Sequence, residues 1–201
     1  MIARIDIVET DDVAGLQRSW TAAARELVAR RGFLNARLHV VYKRINAFGY
    51  DLVSIVRWND INAYYEAQAS GQRLPLAANR GVALYGLVER SEFVEQPARA
   101  SHLVITNAYR ILQPKAAEIA RMWGATRDLM AKRDGFISAE LFESYHPEND
   151  TYYFVSRAEW EDEDAFSRQL EGKDYRQLVA PFEGMFQICF SRVAEEITKT
   201  G

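Results

Sequence analysis

Ser54, Trp58 and Tyr64 stand four and six residues apart, and Ser156, Trp160 and Phe166 repeat that spacing 102 positions later. Indole, phenol and hydroxyl groups on one strand face and the helix after it suit a pocket that stacks a flat ring and orients it with a few hydrogen bonds. Such a pocket works on a phenol or enolate by excluding water and favouring the deprotonated form. Trp58 and Tyr64 are the expected walls, with Ser54 or Asn62 as orienting groups. Trp20 is expected to pack over the same strand face, which alternation assigns to Tyr50, Leu52, Ser54, Val56 and Trp58. Phe166 lacks the hydroxyl of Tyr64, so the first set is favoured, and the second half is either a structural partner or holds a second site built on Asn107 and Trp160. The competing reading makes these aromatics ordinary core residues and Ser54 a plain strand serine.

Other chemistries find little support. The chain has no HExxH, CxxC, GxGxxG or P-loop pattern, so no metal or nucleotide site is expected. No nucleophile sits beside a base. His39 is expected to point away from Leu38, as a satisfied histidine rather than a general base. His146-Pro147 reads as a turn, and the acidic run "EWEDEDAF" as the solvated start of a helix. The single Cys189, inside "MFQICF", reads as a buried strand residue, which points to a reducing, cytoplasmic setting. A net charge of −3 and a pI near 5.7 argue against nucleic acid as a partner. No apolar run reaches the ~18 residues of a membrane span, and the N-terminus lacks a signal-peptide core.

The elements that must hold these residues come in two copies. Trp20–Tyr42 and Trp123–Tyr145 share eight of 23 positions at an offset of 103, and Tyr50–Tyr64 and Tyr152–Phe166 share six of 15 at 102. The change of offset falls in the loop "KRINAFG", where an insertion is tolerated. Each copy reads strand, helix, strand, strand, helix, strand. The strands are expected at 2–8, 34–42, 50–58 and 82–88, and at 103–112, 137–145, 152–160 and 185–193. Asp11 or Asp12 caps the first helix, Pro114 opens its twin, and Gly32 and Gly135 end them. Asp60 and Asp162 open the second helix of each copy.

This order is the ferredoxin-like unit, whose antiparallel sheet carries helices on one face and leaves the other to be covered. Two such sheets can cover each other. An α+β fold follows: tandem domains, 1–97 and 98–201, closed into an intramolecular pseudo-dimeric barrel. Arg37 aligns with Glu140, Arg57 with Glu159, and Glu89 with Arg192. In a homodimer such positions carry like charge, whereas a fused pair is free to diverge, so some are expected to pair across the halves. A homodimer of the fused chain would use exposed strand edges.

Both halves resemble the antibiotic biosynthesis monooxygenase superfamily of dimeric α+β barrels. The carrying segments are "RRGFLNARLHVVY…YDLVSIVRWNDINAYYEA" and "KRDGFISAELFESY…TYYFVSRAEWEDEDAFSRQL". The resemblance implies a cofactor-independent monooxygenase that uses O2 to oxidise a planar phenolic or anthrone-type, polyketide-like substrate to a quinone. In that branch the family pattern is Asn, Trp four residues on, and an aromatic six further. Here Ser54 and Ser156 replace the Asn, while Trp58 with Tyr64 and Trp160 with Phe166 match. A family Arg corresponds loosely to Arg80. A haem-binding branch supplies the alternative. It needs an Asn on the first strand, which Asn107 matches, and a Trp and a His that fall near Gln169 and Val179. A non-catalytic pseudo-dimer is the remaining alternative.

Overall fold

A computed structural model describes residues 1–46, 50–71, 74, 82–91, 97–146, 150–170 and 172–199. The first half forms β1 (Ile2–Val8), α1 (Val13–Leu27), β2 (Phe33–Arg44), β3 (Leu52–Trp58), α2 (Ile61–Ala69) and β4 (Val82–Arg90). The second forms β5 (Leu103–Tyr109), α3 (Ala116–Met130), β6 (Phe136–Ser144), β7 (Phe154–Trp160), α4 (Glu163–Leu170), α5 (Lys173–Val179) and β8 (Phe186–Thr198). No described helix is long and apolar enough to cross a membrane.

The local rules explain most boundaries. Asp12 caps α1 by accepting from the Gly15 amide at 2.8 Å. Asp60 and Asp162 accept from Ala63 and Ala165 at 2.9 and 2.7 Å. Trp20, Ala24 and Leu27, one helical stripe of α1, are buried. Gly32 and Gly135 take φ +74° and +82°, and a Cβ there would lie 2.4 and 2.5 Å from Ala63 and Ala165. Gly135→Ala is expected to cost about 1–2 kcal/mol from the left-handed backbone, and more from the contact with Ala165. A lowered urea midpoint would read it out.

All eight strands close one antiparallel barrel in the order β1-β3-β2-β8-β5-β7-β6-β4. Each half supplies four consecutive strands and a share of two seams, β2 with β8 and β4 with β6. Every described strand therefore has two neighbours, which removes the edges that dimerisation of the fused chain was expected to use. The seam also corrects the last strand. It runs to Thr198 instead of stopping near Val193, because its tail pairs with β2 as far as Asn35. β5 ends earlier than expected, at Tyr109, before the 3-10 turn at Gln113–Lys115.

Strand alternation sorts side chains between the barrel interior and the helix side. Ala3, Ile5, Ile7, Val53 and Ile55 face inward, while Ile2, Val8, Leu52 and Val56 face the helices. Tyr50 departs from its expected face. It precedes β3 and turns inward, edge-on to Tyr152, and both hydroxyls donate to Gln187 Oε1 at 3.1 and 3.0 Å.

A belt of charge crosses the interior. Arg57 pairs with Glu140 at 2.5 Å and Arg37 with Glu159 at 3.5 Å, each across the halves. These are four of the six sign-inverted positions, and the inversion is what makes the pairing attractive. Glu89 and Arg192 go elsewhere, to Arg127 and to the Tyr42 ring.

Candidate functional site

The two halves use their helix-facing sides differently. In the first half, Ser54 is fully buried and accepts a hydrogen bond from the Trp20 indole at 3.0 Å. Beside it on β1, Arg4 donates to the Asp6 carboxylate at 2.8 and 3.0 Å. Tyr64 reaches the same guanidinium with its hydroxyl. Burial raises the Asp6 carboxyl, against the pull of Arg4. Trp58 packs edge-on against Phe33 and Tyr64, with centroids 5.6 and 6.2 Å away, and its Nε1 has no partner among the described residues. The described residues of this face form a packed core with a buried ion pair.

The second half carries smaller or neutral groups at the twin positions. Asp6 lies opposite Ser54 in the sheet, and Asn107 lies opposite Ser156. By that register Ile105 replaces Arg4, Asn107 replaces Asp6, and Ala158 replaces Val56. The result is a cavity between the sheet and α3, α4 and α5, with about 690 Å³ of open space, its mouth included. Its enclosed part is about 90 Å³, below the ~300–1,000 Å³ of small-molecule sites, so a flat ring must occupy the mouth as well. Its walls are rich in aromatics: Tyr109, Trp123, Phe136, Trp160, Phe166, Tyr175 and Phe186. Trp160 sits between Phe136 and Phe166, with centroids 5.3 and 5.5 Å away.

The polar groups are few. Asn107 Nδ2 donates to Ser156 Oγ at 3.2 Å, while the buried Asn107 Oδ1 has no partner among the described residues. Burial pushes the Tyr109 hydroxyl up to about 12, opposed by hydrogen bonds with Ser156 and Asn107. Thr126, Arg127 and Tyr175 add to the polar lining. An unpartnered acceptor in an aromatic chamber suits a ligand with a flat apolar body and one hydroxyl or amide donor.

The expected site residues thus fall into two groups. Asn107, Trp160 and Phe166 line the cavity of the second half, although the sequence favoured the first. Ser54, Trp58, Tyr64 and Trp20 come together in the first-half core. Asn62 is exposed on α2, and Arg80 lies outside the described residues. Sequence reasoning missed Trp123, Tyr109, Arg127 and the Arg4–Asp6 pair. Trp123 was findable as the repeat partner of Trp20.

No histidine lines this cavity. His39 is fully buried inside the barrel, its Nδ1 donating to the Val53 carbonyl at 2.9 Å. His102 pairs with Glu159 at 2.9 Å, and His146 is exposed beyond β6. The haem alternative therefore finds no axial imidazole in the cavity wall.

Comparison with known proteins supplies a family. Residues 102–181 match the model of the antibiotic biosynthesis monooxygenase family. No curated protein sequence matches the chain. Among solved structures, an anthrone oxidase-like protein superposes with a TM-score of 0.72 at 9% identity, covering 100% of this chain and 93% of that one. A regulator of staphylococcal pathogenesis gives 0.58 at 8% identity, over 97% and 100% of the two chains. A haem-degrading enzyme of Listeria monocytogenes gives 0.52 at 9%, over 96% and 99%. At such identities the likeness is one of fold.

Proposed function

From the match of residues 102–181 to the antibiotic biosynthesis monooxygenase family, we propose that the second-half cavity is a cofactor-free oxygenase site. Its substrate is a planar phenol or anthrone, oxidised by O2 to a quinone. The observation that carries this reading is the buried, unpartnered Asn107 Oδ1 inside an aromatic chamber. A substrate hydroxyl would satisfy it. For an anthrone, the ring CH2 loses its hydrogens and gains one oxygen atom from O2, while the second oxygen leaves as water. The enolate is itself the electron donor. The protein's share is to hold the ring between Trp160 and Trp123, accept from a ring hydroxyl at Asn107 Oδ1, donate to the enolate oxygen from the Tyr109 or Thr126 hydroxyl, and keep water away from the reduced-oxygen intermediate. Ser156 holds Asn107 in register. The described residues on the helix side of the first half pack as a core, and that half serves as scaffold.

Oxygen uptake by metal-stripped protein over a panel of anthrones tests this. Trp160→Phe is expected to lower kcat/KM about tenfold or more, equivalent to ~1.4 kcal/mol or more, while Trp58→Phe leaves it within about threefold. Loss confined to Trp58→Phe would return the site to the first half. No uptake by folded wild type across the panel would sink the oxygenase reading.

A further inference from the structure

The duplication gives the cavity a built-in comparison. On the helix that covers it, Arg127 stands where the first half has Ala24, a fully buried core residue. Arg127 is the one charged side chain among the described residues lining the cavity, and it sits at the mouth, 19% exposed. Its guanidinium lies over the Trp123 ring, 5.6 Å from the centroid. Nη1 donates to Glu89 at 3.2 Å and to the Arg90 carbonyl at 3.4 Å, while Nε and Nη2 reach Asp128 at 3.0 and 2.7 Å.

Glu89 belongs to β4, so the first half supplies the anion that holds this cation at the second half's site. It reaches α3 because residue 124 is glycine: a Cβ there would lie 3.2 Å from Glu89 Oε2. The first half has Thr21 at the twin position. Glycine inside a helix is unfavourable, so the close approach of Glu89 explains an otherwise poor choice. Both carboxylates at the mouth are well exposed, and ion pairs of that kind are weak and exchangeable. Arg90, Asp128 and Lys132 border a neighbouring surface groove that shares Arg127 with the cavity.

We propose that Arg127 is a specificity residue of this pocket, taking a carboxylate on the outer end of a planar aromatic ligand in exchange for Glu89. The ring then occupies the aromatic chamber, and the carboxylate meets a guanidinium whose planar fork matches it. This rests on the cavity being the ligand site.

Quenching of tryptophan fluorescence by anthraquinone-2-carboxylate and by its neutral analogue 2-(hydroxymethyl)anthraquinone tests it. Wild type is expected to bind the carboxylate about tenfold more tightly. Arg127→Met is expected to bring the two affinities together; because the readout is their ratio, general repacking cancels. Glu89→Gln is expected to raise the ratio about threefold, and 0.5 M salt to shrink it. Neutral binding without preference for the carboxylate, or an unchanged ratio in Arg127→Met, overturns the proposal alone. Failure of both probes to bind wild type overturns the cavity reading and the proposal with it.

Discussion

Glu159→Gln is expected to lower the unfolding free energy by about 3–5 kcal/mol, although the residue touches neither helix layer. Its carboxylate is almost fully buried and receives Arg157 at 2.5 Å, Arg37 at 3.5 Å and His102 at 2.9 Å. Burial alone would raise its pKa. The charge of Arg157, with hydrogen bonds from His102 and Arg157, pulls it down to about 2 instead. Neutralising it leaves the buried Arg157 with only Glu140, 3.9 Å away, while Arg37 keeps Glu196 at 2.5 Å. Lys43→Ala breaks an exposed pair with Glu163 and is expected to cost under about 1 kcal/mol. Urea unfolding at neutral pH separates the two, and a loss below about 1 kcal/mol in Glu159→Gln would show that the belt does not hold the halves together.

Acid should act on the same belt. Burial, with the charge of Arg157 and weaker repulsion from Arg37 and Arg57, lowers His39 to about 3. The unfolded chain takes up that proton below about 6.5 and the folded one does not. Stability from this group is therefore complete above pH 6.5 and lost as pH falls toward 3, by on the order of 4 kcal/mol. Glu159, depressed in the fold, contributes above about pH 4.5 and loses its contribution toward pH 2. Asp6, raised by burial, runs the opposite way. His39→Asn keeps a donor near the Val53 carbonyl but cannot titrate, so it should flatten the decline between pH 6.5 and 4.5. An unchanged slope in that variant would assign the acid sensitivity elsewhere.

These residues mark what the sequence can and cannot disclose. Opposite charges at repeat-equivalent positions announce a barrel closed within one chain, because a homodimer would bring like charges to its axis. The paired glycines and aspartates announce helix ends because their roles are local. The reach of β8 to Thr198 is not local. It depends on a partner strand more than 150 residues away, and nothing in "RVAEEITK" flags it. Arg4 and Asp6 are buried on the helix side of β1, and no local pattern in "ARIDIV" marks them as an ion pair. Which half keeps an opening depends on differences in side-chain volume at twin positions, which no motif records.

Ala158→Val should show which side chains keep that opening. Val56, its twin, is 1% exposed and helps fill the first half's core, whereas Ala158 leaves space beneath Trp160 and Phe166. Two added methyl groups in that space should cover apolar wall and leave stability unchanged or raised by up to about 1 kcal/mol. They should also exclude a flat ring from Trp160, lowering kcat/KM or probe affinity tenfold or more. Stability and binding then move in opposite directions, which general damage to the fold cannot produce. Val56→Ala is expected to cost about 1–2 kcal/mol without creating a second site, because the Arg4–Asp6 pair and the Trp20–Ser54 hydrogen bond still occupy that side. Turnover by Ala158→Val within twofold of wild type would mean that substrate does not enter the second-half cavity as far as Trp160.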